Sequence, residues 1–389
     1  MNIEFLRESL AIRPLAEAID AIKFLYQSEF GCGHLLPGEA ACAAHIAREI
    51  AQIPQAVAES AFEPIGDGLC RIRLTHPLVR ALPPERIARM MRVTENRVNG
   101  SLAGFETKLA MLFSLCEPQP KPPSAQRDVE TPSPSLPFTA KALRECLAAR
   151  SGAPLDPPGH SERYRAAYRP AYRVVLRAYG EALPLIAALD AKLTETGRAC
   201  LVLDGDCASG KTTLANLLAP LYGATVFHMD DFFLPFSMRT PERLAQPGGN
   251  VHYERFLTQV LNGLLSNKPF TYDAFHCHDG STASVAVGTT PVAIIEGSYA
   301  LHPAFHQVYE ELQTVRALMR VAPEEQLRRI ALRNGTAMLE RFRNEWIPLE
   351  KRYLQAYHSA QAGTLTLVSE RHAEDERATE VTRDEGAGD

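Results

Sequence analysis

The sequence predicts an α/β protein that carries a parallel sheet in its C-terminal half, preceded by a mainly helical α+β region. Three observations lead to this prediction. Short apolar runs alternate with helical patterns over residues 197–368, a glycine-rich loop follows the first run, and acidic residues follow two of the others. Strands and helices that alternate in this way build a parallel sheet with helices on its faces.

The apolar runs are the first of these observations. They span residues 199–203, 224–228, 292–295, 315–321 and 364–368. Each run is short and has no polar face, which is typical of a strand that is covered on both sides of a parallel sheet. Helical patterns lie between the runs at 212–221, 254–265 and 323–333. These segments together predict an α/β domain over residues 197–368.

The glycine-rich loop reads GDCASGKTT and comprises Gly205, Asp206, Cys207, Ala208, Ser209, Gly210, Lys211, Thr212 and Thr213. In the pattern G-x-x-x-x-G-K-[ST], backbone amides surround phosphates, the lysine reaches the β- and γ-phosphates, and the final hydroxyl ligates Mg²⁺. The loop lies between a predicted strand and a predicted helix, so we expect a P-loop NTPase three-layer domain that binds ATP. A guanine-reading Asn-Lys-x-Asp motif is missing, because Asn267 and Lys268 are followed by Pro269 and Phe270.

Acidic residues follow two of the predicted strands. Glu296 follows the run at 292–295, and Asp230 and Asp231 follow the run at 224–228. Ligands of parallel α/β sheets bind beyond the carboxyl ends of the strands. We therefore predict that Glu296 and Thr212 hold Mg²⁺, that Asp230 is the base for an acceptor hydroxyl, and that Asp231 assists at the acceptor. The alternatives are that the aspartates cap a following helix and that Glu296 is an incidental surface residue.

Arginines follow the run at 315–321. Arg328, Arg329 and Arg333 lie on one helical stretch, and the last two are four residues apart and share a face. Arginines in such a place can neutralise a phosphoryl group in transfer. A solvated basic face is the alternative interpretation.

These motifs occur in an order that resembles the uridine kinase and phosphoribulokinase-like family of P-loop kinases. The resemblance is carried by GDCASGKTT, HMDDFF, YERF, YDAFHCH, IIEGSYAL and RVAPEEQLRRIALRNG, within residues 197–368. It implies ATP- and Mg²⁺-dependent phosphate transfer to a hydroxyl. Position by position, it implies functional roles for Lys211, Thr212, Asp230, Glu296, Arg329 and Arg333, and contact with the acceptor for Tyr272, Asp273, His276 and His278.

The rest of the chain is less informative. We interpret residues 1–116 as an α+β domain of unknown role, 117–137 as a Pro/Ser-rich linker, 138–196 as a helical segment packed with the N-terminal domain, and 369–389 as a disordered acidic tail. Tyr164, Tyr168 and Tyr172 recur every four residues among arginines. They predict either a helix with a buried tyrosine face or a surface for an anionic or aromatic ligand such as RNA.

Composition excludes some classes of protein. A formal net charge of −5 argues against wholesale nucleic-acid binding, and no apolar run is long enough to predict a membrane span. The eight cysteines form no CxxC pair, which favours free thiols in a reducing cytoplasm. A zinc site is the alternative, built from Cys32, His34, Cys42 and His45 or from the histidine pair of the YDAFHCH segment.

The sequence as a whole favours a kinase for the hydroxyl of a small molecule, with a nucleoside or ribosyl compound as the preferred acceptor. The alternative is an ATP-switched binding or regulatory protein that acts through its N-terminal half. A small-molecule acceptor is the expected partner, nucleic acid and membranes are disfavoured, and a homo-oligomer stays open.

Overall fold

The structure is a computed structural model that describes residues 1–32, 38–54, 60–117, 136–150, 156–357 and 363–369. The chain divides into two compact units, Met1–Leu183 and Pro184–Arg371. The second unit thus begins at Pro184, whereas the sequence placed the start of the corresponding domain at 197. Most of the predicted linker and tail lies outside the described residues.

The first unit is α+β, as predicted. Its strands are β1 (Phe62–Gly66), β2 (Leu69–Arg73) and β3 (Tyr172–Leu176), which form an antiparallel sheet in the order β1-β2-β3. Its helices are α1 (Ile3–Ala11), α2 (Ala18–Phe30), α3 (Glu39–Gln52), α4 (Pro77–Arg80), α5 (Pro84–Glu95), α6 (Leu102–Cys116), α7 (Ala140–Ala148), α8 (Glu162–Tyr168) and α9 (Arg177–Glu181), and α10 (Leu183–Thr196) crosses into the second unit.

A connected set of buried polar side chains joins α2 to β2 and β3. The His160 ring lies between Asp20 Oδ1, 2.9 Å from Nδ1, and the Tyr172 hydroxyl, 2.7 Å from Nε2. Gln27 Oε1 accepts from Arg71 Nε at 3.0 Å and Nη2 at 2.7 Å, and lies 3.2 Å from the Tyr172 hydroxyl. We call these five residues the His160 network. Because buried polar groups are costly unless paired, such a network holds the elements that carry it in one arrangement.

The tyrosine repeat does not form one continuous helix. α8 ends at Tyr168, and Arg169 follows with φ of 43°, in the left-handed region that ends helices. Tyr172 then lies in β3. Tyr164 is buried and its ring stacks on His160 at a centroid distance of 4.1 Å. The packing interpretation therefore holds for Tyr164, and the single-helix interpretation is wrong.

The second unit is built on a parallel sheet. Its strands are β4 (Ala199–Gly205), β5 (Thr225–His228), β6 (Phe270–Phe275), β7 (Thr282–Val287), β8 (Val292–Glu296), β9 (Val315–Val321) and β10 (Leu365–Ser369). Five of them form a sheet in the order β10-β9-β4-β8-β5 with every pair parallel, and β6 and β7 form an antiparallel hairpin. This confirms the predicted α/β class with a parallel sheet.

The helices of the second unit connect these strands. They are α11 (Lys211–Tyr222), α12 (Pro241–Ala245), α13 (Tyr253–Phe256), α14 (Asn262–Ser266), α15 (His306–Glu311), α16 (Pro323–Arg341) and α17 (Ile347–Tyr357). Single π turns, Leu257–Leu261 and Phe342–Trp346, join α13 to α14 and α16 to α17. The helix predicted at 254–265 is therefore confirmed as a continuous helical stretch over 253–266, with a π turn in its middle.

The sheet is covered on both faces. Val202 of β4 and Ile295 of β8 belong to a core that also contains Phe256 and Tyr353 from the helices. Residues that alternate with these along the strands, such as Leu201, are equally buried and point to the other face of the sheet. Helix α11 packs against β4, β5 and β8. This arrangement explains why the strands are apolar on both sides.

The carboxyl ends of the parallel strands lie at one edge of the sheet, where ligands of such sheets bind. Two glycines allow close packing at this edge. Gly205 has φ of 129° and faces the Met319 carbonyl, and Gly297 has φ of 136° and faces Met229, and neither position has room for a Cβ. Among the helices of the described residues, none has the length and apolar composition to cross a membrane.

Candidate phosphate and acceptor site

The P-loop lies between β4 and α11. Lys211 is 6% exposed, and its Nζ donates to the carbonyls of Gly205 and Asp206, both at 2.8 Å. The lysine is thus folded back on its own loop. The first-turn amides of α11 have no acceptor within the helix, and the helix dipole makes this end attractive to anions. The loop has the geometry and charge of a phosphate site.

The predicted metal pair comes together beside the P-loop. The Glu296 carboxylate is buried, and both of its oxygens lie 3.0 Å from the exposed Thr212 hydroxyl, which donates to them. β5 and β8 pair His228 with Glu296, and the Nδ1 of His228 lies 2.5 Å from Glu296 Oε1. This hydrogen bond raises the pKa of His228. The sequence did not single out His228, although its place at the end of a predicted strand, directly before the acidic pair, is a usable signal.

A buried aspartate fixes the loop that follows β8. Asp204 Oδ1 accepts from the amides of Gly205 at 2.6 Å and Tyr299 at 3.0 Å, and Oδ2 accepts from the Leu301 amide at 2.8 Å and the Tyr353 hydroxyl at 2.7 Å. Tyr299 has φ of 72°, which is unfavourable for a residue with a Cβ. The four hydrogen bonds to Asp204 hold this strained backbone next to the P-loop.

Other P-loop residues are tied to their neighbours. Asp206 Oδ2 accepts from Arg320 Nε at 2.9 Å and from the Val321 amide at 3.1 Å. The Cys207 carbonyl accepts from Gln326 Nε2 at 3.0 Å. These contacts fix the loop at Asp206 and Cys207.

The two arginines that are predicted to neutralise the phosphoryl group differ in position. Arg329 Nη1 donates to the Ala208 carbonyl of the P-loop at 3.2 Å, and its Nε donates to Glu325 at 2.7 Å. Arg333 is exposed, and its Nε donates to Asn334 Oδ1 at 2.9 Å. Arg329 is therefore already at the phosphate side, whereas Arg333 lies one helical turn further along α16.

The acidic pair after β5 lies in a 3₁₀ turn, Met229–Phe232, and the side chains do not cap an α-helix. Asp230 is exposed to solvent, yet its pKa is raised, first by partial desolvation in the cleft and second by the charge of Glu296, while Lys211 opposes the shift. Asp231 Oδ2 accepts from the Tyr272 hydroxyl at 3.3 Å. Asp230 follows His228 by two residues, and His228 pairs with Glu296 of β8, so Asp230 lies at the same edge of the sheet as the P-loop and Glu296.

The predicted acceptor segment forms the hairpin of β6 and β7. Tyr272 is buried, and Asp273 Oδ2 accepts from Gln259 Nε2 at 2.9 Å. His276 and His278 are exposed and lie in the connection between the two strands. The hairpin therefore offers two exposed imidazoles, whereas Asp273 is engaged with Gln259.

The donor set beside the P-loop suits Mg²⁺ better than zinc. Mg²⁺ at nucleotide sites takes one or two protein oxygens together with phosphate oxygens, and Thr212 and Glu296 supply such a pair. No cluster of three or more His, Cys, Asp or Glu side chains in the described part of the chain could hold a metal. Of the alternative zinc ligands, His34 lies outside the described residues, and Cys42 is buried with its Sγ 3.7 Å from Met91 Sδ.

Sequence reasoning missed a further acidic residue. Glu350 of α17 is 3% exposed, and it accepts from the Cys207 amide at 2.8 Å and from the Ser298 hydroxyl at 2.6 Å. The apolar pattern of residues 338–357 predicts no more than a core helix. The sequence does contain a usable signal, because a charged residue stands on the apolar stripe of the helix: Glu350 lies four residues after Trp346 and three before Tyr353.

The second unit is a P-loop NTPase domain by its own architecture: a buried strand, a glycine-rich loop, a helix and a five-stranded parallel sheet. No protein-family model matches the sequence, and no curated protein does. One similar solved structure is a "putative fructose transport system kinase" from Silicibacter sp. TM1040, 24% identical with a TM-score of 0.36, over 43% of this chain and 89% of that chain. Another is a "possible uridine kinase" from Bacillus stearothermophilus, 19% identical with a TM-score of 0.34, over 47% of this chain and 99% of that chain.

Proposed function

We propose that this protein is an ATP- and Mg²⁺-dependent kinase that transfers the γ-phosphate to a hydroxyl of a small molecule, with a nucleoside or other ribosyl compound as the favoured acceptor. The observation that carries the proposal is the meeting of three groups at one edge of the sheet. They are the P-loop ammonium of Lys211, the Thr212–Glu296 pair, and the carboxylate of Asp230, which follows His228, the β5 residue that pairs with Glu296.

Asp230 is the base in this proposal. It accepts the proton of the acceptor hydroxyl as that oxygen attacks the γ-phosphorus, the bond from the γ-phosphorus to the bridging oxygen breaks, and ADP leaves. The raised pKa supports the role, because it makes the carboxylate a stronger base than an ordinary aspartate. Exposure of Asp230 supports it too, since the acceptor must reach the carboxylate.

The phosphate side supplies positive charge. Lys211 exchanges the carbonyls of Gly205 and Asp206 for phosphate oxygens, and Arg329, which already contacts the P-loop, neutralises the group in transfer together with Arg333. Thr212 and Glu296 hold Mg²⁺, which supplies neutralisation of the phosphate oxygens when bound.

The acceptor side supports a polar, hydroxyl-bearing compound. Asp231, with the Tyr272 hydroxyl as its partner, and the exposed His276 and His278 offer acceptors and donors near the base. The HMDDFF and YDAFHCH motifs, which resemble those of uridine-kinase-like enzymes, favour a nucleoside or ribosyl acceptor.

The test is an ATP-consumption screen with Mg²⁺ against nucleosides, ribosyl compounds, sugars and vitamins. Asp230→Asn serves as the blank, because it keeps the shape of the site but removes the base, and we expect about a hundredfold to ten-thousandfold slower transfer with unchanged ATP affinity. Stimulation of ADP formation by one acceptor, in the wild type only, supports the proposal. Tight ATP binding with no stimulation by any compound favours the ATP-switched alternative, and undiminished transfer by Asp230→Asn removes that residue from the base role.

A further inference from the structure

We propose that Glu350 is a positioning residue of the nucleotide site, which holds the P-loop and, through Ser298, the ammonium of Lys211. The inference rests on the proposed function in one respect, that the P-loop binds the polyphosphate of ATP. It assigns a role to a residue that lies on α17, far along the chain from the glycine-rich motif.

The first argument is the cost of placing this carboxylate where it is. Glu350 is 3% exposed, and α17 packs through Tyr353 and Leu354 into the main core of the unit. Burial raises the pKa of Glu350, while the nearby charge of Lys211 lowers it. An unpaired buried carboxylate is strongly unfavourable. The groups that hydrogen-bond to Glu350 therefore indicate what this residue does.

Those partners all belong to the phosphate side. One oxygen accepts the Cys207 amide at 2.8 Å, and the other accepts the Ser298 hydroxyl at 2.6 Å. The Ser298 oxygen lies 3.5 Å from the Nζ of Lys211 and 3.5 Å from the carbonyl of Gly205. Glu350 therefore contacts the P-loop backbone directly and reaches its lysine through one hydroxyl.

Glu350 is not needed to hold α17 against the sheet, so its role is not merely structural. Tyr353, less than one turn further along, donates to the buried Asp204 at 2.7 Å, and Leu354 packs in the core. These contacts already fasten the helix to the sheet. The carboxylate of Glu350 adds charge and two hydrogen-bond acceptors at the phosphate site, where they control the shape of the loop and the place of the ammonium.

Three variants separate positioning from stability. Glu350→Ala removes both acceptors and the charge, and we expect affinity for ATP to fall about tenfold or more, since a hydrogen-bonded charged group is lost. Glu350→Gln retains an acceptor for the Cys207 amide and should recover most of the affinity. Leu354→Ala, one turn away on the same helix, destabilises the core without touching the P-loop, and should bind ATP within about twofold of wild type.

The measurement is calorimetric titration of the full chain with ATP and Mg²⁺ and, separately, with inorganic tripolyphosphate, alongside thermal unfolding of each variant. Because Glu350 acts on the loop and the lysine, the affinity for tripolyphosphate should fall by the same factor as that for ATP. Ser298→Ala removes the bridge between Glu350 and Lys211 together with the contact to the Gly205 carbonyl, but keeps the bond of Glu350 to the Cys207 amide. It should weaken the binding of both ligands several-fold, which provides a test even if Glu350→Ala does not fold.

Several outcomes would overturn the inference. One is a folded Glu350→Ala that binds ATP as wild type does, and another is a Leu354→Ala that loses as much affinity at equal loss of stability. Wild-type binding by Ser298→Ala would remove the bridge. If wild-type protein itself binds neither ATP nor tripolyphosphate, the proposed function fails together with the inference, and this result is distinct from the others.

Discussion

Both units bury a cation among polar groups, but the two cations, Arg71 and Lys211, have different partners. In the His160 network of the first unit, Arg71 and Asp20 contact the side chains of Gln27 and His160, so that side chains pair with one another. In the second unit, Lys211 is paired with the backbone carbonyls of its own loop, and Asp230 is exposed.

The difference teaches that burial of charge alone does not mark a functional site. The His160 network joins one helix to two strands and has the character of a structural lock. The P-loop of the second unit combines a cation held by backbone carbonyls, first-turn amides that have no acceptor within the helix, and a glycine that packs closely against β9. An incoming anion can replace the backbone carbonyls that accept from Lys211. Arg71 is instead held by the buried side chain of Gln27, and this pairing offers no such exchange.

The largest expected effect comes from Lys211→Ala. Loss of the ammonium should lower turnover about a thousandfold and lower nucleotide affinity with it, because the lysine neutralises phosphate charge in the ground and transition states. Phosphate-transfer kinetics and nucleotide titration check both quantities. Lys192→Ala is the control, since Lys192 pairs with Glu195 at 2.8 Å on α10, and it should leave both unchanged. Wild-type affinity in Lys211→Ala would contradict the assignment of the phosphate site.

The corresponding change in the first unit is Arg71→Ala. Arg71 is 2% exposed and holds Gln27, so its loss leaves buried polar groups unpaired and should lower the free energy of unfolding by about 3–5 kcal/mol. Nucleotide affinity should stay unchanged, because the network contains no residue of the second unit. The matched control is Arg89→Ala, whose side chain is 44% exposed and pairs with Glu39, with a cost of about 1 kcal/mol or less. A loss of ATP binding in Arg71→Ala would contradict the proposal that the His160 network is structural and separate from the phosphate site around Lys211.

A smaller effect concerns acid stability of the second unit. Burial lowers the pKa of His302 to about 4, so the unfolded chain takes up a proton as the pH falls below about 6.5 while the folded protein does not. Stability should therefore fall between pH 6.5 and 4, by about 3 kcal/mol in all.

His302→Asn removes this titration and can keep an acceptor for the Ala304 amide, which His302 Nδ1 now accepts at 3.2 Å. Urea unfolding followed by fluorescence of Trp346, the single tryptophan of the chain, reports on the second unit. We expect a flatter dependence of stability on pH in His302→Asn than in wild type. Equal slopes in the two proteins would show that His302 titrates normally in the folded state.

The sequence by itself determined the class of the second unit and the place of its glycine-rich loop between the first strand and the following helix. Strands covered on both faces have a continuous apolar pattern, and the P-loop requires particular residues at consecutive positions, so both are readable from local sequence. Because parallel strands place their carboxyl ends at one edge, the placement of Glu296 and Asp230 at the same edge of the sheet followed from the strand assignments alone.

Only the tertiary structure decided the contacts that join distant segments. Glu350 reaches Cys207 across 143 positions, and Asp20 reaches His160 across 140. The every-fourth tyrosine pattern likewise did not predict the break at Arg169, which lies between the end of α8 and the start of β3. The physical reason is the same in each case: a hydrogen bond between side chains depends on where the backbone brings them together, and periodicity records which face of an element is buried but not which residue lies opposite it.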